Sequence, residues 1–92
     1  MQRYRVLLAA RLRPHHTPTG RTRHYVEGQL APKPDRLEIV QYPDGPGYYL
    51  LYLTDDGVEI TDTYHERIND ALAQAEFEFG ITPEEWCNMY DS

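Results

Sequence analysis

The fold is decided by residues 37–62, which read LEIVQYPDGPGYYLLYLTDDGVEITD. Three runs rich in β-branched and aromatic residues, 37–42, 48–54 and 58–62, alternate with two turn segments. The first turn, 43–47, is dense in Pro and Gly, and the second contains Asp56-Gly57, a dipeptide typical of tight hairpins. Because consecutive strands joined by short loops usually pair, this stretch predicts an antiparallel meander.

Two more strands are predicted before the meander. Residues 2–12 alternate with period two, which is typical of a half-buried strand with one basic face. The inner set is Tyr4, Val6, Leu8, Ala10 and Leu12, and the outer set is Arg3, Arg5, Leu7, Ala9, Arg11 and Arg13. Residues 14–20 predict a loop, 21–27 predict a strand that returns antiparallel to the first, and 28–34 predict an extended connector.

A long helix is predicted to begin near Thr63, because Thr63 and Glu66 have the spacing of a capping box. Helical periodicity places one apolar set on its buried face, namely Tyr64, Ile68, Ala71, Leu72, Ala75 and Phe79. Gly80 is expected to end the helix, and residues 82–85 to start a short second one. The predicted fold class is therefore α+β, an antiparallel sheet of about five strands packed against one long helix, with a short C-terminal helix closing an edge.

Length and composition indicate a single small domain over residues 1–92. No run of 18 apolar residues is present, so a membrane-spanning helix is not expected. A lone cysteine, Cys87, forms no internal disulfide, which favours the cytoplasm. The charge is divided unevenly, because residues 1–36 carry a net +6 and residues 37–92 a net −12. The chain is thus predicted to be a basic N-terminal hairpin and connector (1–36) followed by an acidic meander with helices (37–92).

The residues that could support catalysis or metal binding do not form a recognised motif. His65-Glu66 begins the zinc-binding helix motif, but Asn69 stands where the second histidine belongs. The four histidines are therefore predicted to be surface or capping residues. Acidic neighbours disfavour a reactive thiolate at Cys87, which is expected to be a part-buried structural thiol. We expect no enzyme activity, no cofactor and no metal.

Nucleic-acid binding has one supporting feature, the basic first strand with Tyr4 and Tyr25. The −12 on residues 37–92 opposes it, because both charges lie within a few Debye lengths on so small a body. Nucleic acid is therefore an unlikely partner, and the arginines are expected to pair with acids on neighbouring strands.

Acidic residues interleaved with aromatic ones mark the predicted contact surface. If Tyr49 faces the core, Tyr48 and Tyr52 point away from it. Phe77 is predicted on the helix face opposite the buried one, where it is exposed unless Trp86 covers it. The predicted partner-binding residues are Tyr48, Tyr52, Asp55, Asp56, Glu59, Asp62, Glu66, Asp70 and Phe77.

Residues 37–42, 47–52, 60–66 and 71–81, together with Trp86, resemble small bacterial proteins, some of which are similar to immunity proteins of polymorphic toxin systems. The resemblance covers about half of the chain, excludes residues 1–36 and carries over no functional residue. A weaker likeness is to HicB-type antitoxins, which share a hairpin, an acidic turn and a helix with an alanine repeat, here Ala71, Ala73 and Ala75. No DNA-binding module follows in this chain.

The resemblance and the charge pattern together predict a non-enzymatic cytoplasmic protein that binds a basic protein partner. Such an immunity protein or antitoxin would neutralise a basic toxin, for example a nuclease, by occluding its active site. The alternative is a small homo-oligomeric structural or regulatory module, in which the basic first strand of one copy contacts the acidic face of the next.

Overall fold

The computed structural model describes residues 4–16, 25–26, 28–30 and 32–89, and its class is α+β. Seven strands, one α-helix and one 3₁₀ turn occur in this part of the chain. The elements are β1 (Arg5–Arg11), β2 (Tyr25–Val26), β3 (Gln29–Leu30), β4 (Arg36–Gln41), β5 (Tyr48–Leu53), β6 (Glu59–His65), α1 (Ile68–Phe79), the 3₁₀ turn (Pro83–Glu85) and β7 (Cys87–Asn88). The helix has 12 residues and is shorter than the sequence predicts. No helix among these residues has the length and apolar character needed to cross a membrane.

The predicted five-stranded antiparallel sheet is confirmed, with the order β6-β5-β4-β1-β7. The meander of β4, β5 and β6 is its larger part. The fifth strand differs from the prediction, because β2 pairs with β3 in a separate two-stranded ribbon, while β7 pairs with β1. Residues 21–24 and 27 of the predicted second strand lie outside the described residues.

Strand β1 carries a bulge between Val6 and Leu8, where its register against β4 shifts. A bulge moves the following side chains to the other face. The prediction of one apolar face is therefore wrong. Tyr4 and Val6 pack on one side of the sheet, whereas Leu8 and Ala10 pack on the other.

The predicted helix start at Thr63 is also wrong, because β6 continues to His65 and α1 begins at Ile68. Residues 63–65 pair in register with Leu50, Tyr49 and Tyr48 of β5, so their backbone groups are used in the sheet. The predicted end of the helix is confirmed, since Gly80 adopts the left-handed conformation with φ 74° and donates its N–H to the Glu76 carbonyl.

The two faces of the sheet carry separate apolar clusters. On the helix face, α1 packs over a core that includes Leu37, Ile39, Leu50, Tyr52, Ala71, Ala75, Phe79 and Ile81. On the opposite face, which we call the tyrosine face, Val40, Leu51 and Leu53 are buried beneath Tyr4, Val6, Tyr42 and Tyr49. Strands β4 and β5 are thus buried on both sides, which explains their nearly continuous apolar sequences.

The predicted second helix is a single 3₁₀ turn, Pro83–Glu85. The Glu85 carboxylate accepts the Thr82 backbone N–H at 2.8 Å and so caps the start of the turn. Trp86 then packs against the helix-face core. Cys87 follows on the edge strand β7 and is exposed, so the prediction of a part-buried thiol is wrong.

Candidate functional site

Four tyrosine rings form a row across one end of the tyrosine face. Consecutive ring centroids, from Tyr4 to Tyr42 to Tyr49 to Tyr64, lie 5.5, 5.3 and 5.2 Å apart. The interplanar angles are 75°, 89° and 64°, which are edge-to-face arrangements. Such aromatic pairs attract one another beyond the area they bury. The row is therefore a preordered aromatic surface, with Tyr64 at its end 47% exposed.

Strand register places these rings together. Tyr4 directly precedes β1 and Tyr42 directly follows β4, and Arg5 pairs with Gln41 between them. On the other side of the row, Tyr49 of β5 pairs directly with Tyr64 of β6. The rings thus come from four adjacent strand ends on one sheet face.

The turn before β5 fixes the end of the row. The Tyr64 hydroxyl donates to the Pro46 carbonyl at 3.2 Å. Gly47 lies against this hydroxyl with φ 76°, and a Cβ there would overlap the Tyr64 hydroxyl and the His65 carbonyl. Glycine is therefore needed at this position both for its backbone conformation and for the close approach of Tyr64.

Two carboxylates of β6 flank the tyrosine row. Glu59 pairs with Leu53 and Asp62 with Leu51, which places both acids on the tyrosine face. Burial raises the pKa of Glu59, and a hydrogen bond to Asp62 together with the Asp62 charge adds to this rise. The pKa of Tyr42 is raised by burial and by these same two acids. The row therefore lies in a region of negative potential.

Glu38 lies deeper on the same face and is nearly buried. Its carboxylate is 3.4 Å from the Arg36 guanidinium, so this charge is paired within the chain. Glu59 and Asp62 are exposed and are the acids available to a partner at this site.

The nine residues predicted to bind a partner are dispersed over the molecule. Glu59 and Asp62 lie beside the tyrosine row, and Glu66 and Asp70 are exposed near the start of α1. Asp55 and Asp56 occupy the exposed β5–β6 turn, where Asp55 pairs with Arg11 at 2.6 Å. This ion pair agrees with the expectation that arginines of the first strand meet neighbouring acids.

The predicted aromatic anchors lie on the helix side. Tyr52 is 1% exposed, so its assignment as an outward-pointing contact residue is wrong, because β5 is covered on both faces. Tyr48 is half-buried against the same helix-face core. Phe77 is 43% exposed on α1, and Trp86 packs against the helix-face core.

Sequence reasoning missed the tyrosine row. The sequence pattern predicts Tyr64 in a helix and Tyr49 in the core, and so does not bring the two residues together. A longer β6 would have shown only one end of the row, because extending the period-two pattern of residues 58–62 to Tyr64 places Asp62 and Tyr64 on one face.

A second cluster joins His15, His16 and Glu85, whose candidate ligand atoms lie within 4.8 Å of one another. The ring of His16 is 1% exposed, and its Nδ1 accepts the Arg13 backbone N–H at 2.9 Å. Its Nε2 lies 2.7 Å from the Glu85 carboxylate and must carry the proton in the neutral ring. A metal-binding imidazole needs one ring nitrogen with a free lone pair, and in His16 the Nδ1 lone pair is already used by the Arg13 N–H. The geometry therefore makes His16 a structural link between two turns.

A third polar cluster lies beneath α1. The Tyr52 hydroxyl donates to the Glu78 carboxylate, which is 3% exposed and also accepts the Gln74 amide at 2.8 Å. Burial raises the pKa of Tyr52 well above its usual range. The hydrogen bond to Glu78 and the charge of Glu78 add to this rise. These contacts attach α1 to β5 in the interior and leave the cluster inaccessible to a large partner.

Comparison of the chain with protein-family models, with curated proteins and with solved structures finds no match.

Proposed function

We propose that this chain is a non-enzymatic binding protein that recognises a basic protein partner through its tyrosine face. The observation that carries this proposal is the row of four tyrosines flanked by the exposed carboxylates of Glu59 and Asp62. Tyrosine is enriched in protein interfaces and among the residues that dominate binding energy. Exposed acids beside such a row favour a cationic partner.

The most specific form of the proposal is an immunity protein or antitoxin that neutralises a basic toxin, such as a nuclease, in the cytoplasm. The net −12 of residues 37–92 supports it, because complementary charge accelerates the association of two proteins. The aromatic row then supplies contacts that slow dissociation. The resemblance of the meander and helix segments to immunity proteins points to the same class.

The test is co-expression with the product of the adjacent gene, followed by a growth assay and co-purification. We expect that product to be basic, toxic when expressed alone, and bound by this chain. Tyr64→Ala should weaken binding by about 5- to 30-fold, since loss of an aromatic anchor typically costs about 1–2 kcal/mol or more. The pair Glu59→Gln and Asp62→Asn should mainly slow association, most clearly at low salt.

Phe77→Ala is the matched control, because Phe77 is similarly exposed but lies on α1. The affinity of this variant for the product of the adjacent gene should equal that of the unaltered chain. An adjacent product that is neither toxic nor bound would refute the proposal. Loss of binding in Phe77→Ala with normal binding in Tyr64→Ala would instead move the contact surface to the helix side.

A further inference from the structure

Among the described residues, strand β6 lies at one edge of the sheet, and its register against β5 shifts beside Ile60. Within the described ranges it pairs with β5 alone, although it is seven residues long. The outer edge of such a strand presents backbone N–H and C=O groups that can pair with another extended chain. The opposite edge of the sheet, β7, has two residues and offers far less pairing length.

The acids along β6 restrict what can pair with it. Glu59 and Asp62 project on the tyrosine face, and Glu66 follows the strand directly. An incoming strand would thus meet carboxylates on the tyrosine face.

A second copy of this chain does not suit the edge. Antiparallel pairing of β6 with itself, centred on Asp62, would place the two Asp62 carboxylates directly opposite each other. Like charges at opposed positions destabilise a strand pair. The same acids favour a strand with Lys or Arg at alternate positions, because opposite charges across a strand pair are stabilising.

We propose that a basic extended segment of the partner pairs with β6 as an additional strand of the sheet. Its Lys or Arg side chains on the tyrosine face lie against Glu59 and Asp62, and a neighbouring side chain packs against Tyr64. Backbone hydrogen bonds supply affinity in this mode, and alternate side chains supply specificity. This inference rests on the proposed function and specifies the form of the partner's contact segment.

The experiment uses a synthetic peptide of alternating Thr and Lys, as long as β6, added to the isotope-labelled full chain at low salt. Amide chemical shifts and hydrogen exchange are followed by NMR. We expect shifts centred on residues 59–65 and slower exchange of outward-facing β6 amides. Replacing Lys by Glu in the peptide, or N-methylating alternate peptide bonds, should weaken binding by about tenfold or more, equivalent to 1.4 kcal/mol.

Charge variants of the chain test the register. Glu59→Gln with Asp62→Asn should weaken peptide binding by about fivefold, within the range measured for cross-strand charge pairs. Glu76→Gln with Glu84→Gln removes the same charge from exposed positions outside β6 and should leave binding unchanged. Unaltered circular dichroism spectra establish that both double variants are folded.

The outcomes separate this inference from the proposed function. Equal binding of the N-methylated peptide, or no binding of the unmodified peptide at millimolar concentration, would overturn strand addition. Partner binding that depends on Tyr64 would nevertheless leave the proposed function intact. Conversely, the peptide could slow the exchange of the β6 amides while the product of the adjacent gene is not bound. This result would support strand addition and refute the toxin-neutralising function.

Discussion

At the scale of single residues, Glu78 is a carboxylate that is buried, with 3% of its surface exposed. Its carboxylate lies between α1 and the sheet and is held by the Tyr52 hydroxyl and the Gln74 amide. When a buried carboxylate loses a hydrogen-bond donor, the free energy lost on removing it from water is no longer compensated, and the folded state is destabilised. The stability of the α1–β5 contact should therefore depend strongly on these donors.

Tyr52→Phe removes a donor to Glu78 without changing the shape of the ring. We expect it to lower the free energy of unfolding by about 1–3 kcal/mol, because the buried carboxylate then loses one of its hydrogen-bond donors. Urea denaturation checks this value. Tyr48→Phe, on the same strand and face, is the control and should change stability by less than about 0.5 kcal/mol. Equal effects of the two variants would contradict the assignment.

His16 provides a second test, because its proton position distinguishes a structural histidine from a metal ligand. His16→Ala should destabilise the chain by about 2–3 kcal/mol, since it leaves a buried void and an unpaired Arg13 N–H. Equimolar Zn²⁺ should leave the Tm of the unaltered chain unchanged. His15→Ala, at an exposed position, is the control. A Zn²⁺-dependent rise in Tm that disappears in His15→Ala would show a metal site instead.

At the scale of elements, local sequence predicted those parts whose signals are local. Turn residues located the hairpins around β5, and Gly80 located the end of α1. The β6–α1 boundary could not be read in this way. The Thr63–Glu66 spacing favours a cap, but pairing of residues 63–65 with β5 outweighs it, and this pairing is a tertiary interaction.

The candidate site shows the same limit. Glu59 and Asp62 were recognised from their charge, whereas the tyrosine row depends on the register of four strands. The bulge after Val6 adds to this difficulty, because it moves Tyr4 to the face opposite Leu8. Neither the bulge nor the register has a signal in the local sequence of β1.

The helix terminus gives a prediction at this scale. Gly80→Ala should cost about 1 kcal/mol, because an L-residue is strained at φ 74°. Gly45→Ala is the matched control, since its Cβ would meet only an ordinary contact with the Tyr42 Cβ at 3.6 Å. Thermal unfolding of the two variants compares them directly. A smaller loss for Gly80→Ala than for Gly45→Ala would contradict the role of Gly80 as the helix terminus.

At the scale of the whole molecule, the uneven charge along the sequence is partly neutralised in the fold. Arg11 of the basic first strand pairs with Asp55 of the acidic half, and Arg36 pairs with Glu38. Strand β1 also lies inside the sheet, between β4 and β7. These contacts reduce the basic surface that a homo-oligomer built on the first strand would need.

We therefore expect a monomer. Light scattering should give a mass near 10.8 kDa at both low and high salt. The physical reason is that Arg11 and Arg36 are paired within the chain and that the acids of β6 repel those of a second copy. A dimer that forms at low salt and dissociates at high salt would instead support contact between the basic first strand and the acidic face.

The pairing of β1 with β7 has a kinetic consequence. Leu8 and Asn88 are neighbours in the sheet although 80 residues separate them in sequence, whereas β4, β5 and β6 are joined by short turns. Closing so long a loop is entropically costly and follows local pairing. The meander should therefore dominate the folding transition state, with β7 docking afterwards. Weakening β7 would then accelerate unfolding while leaving the folding rate almost unchanged.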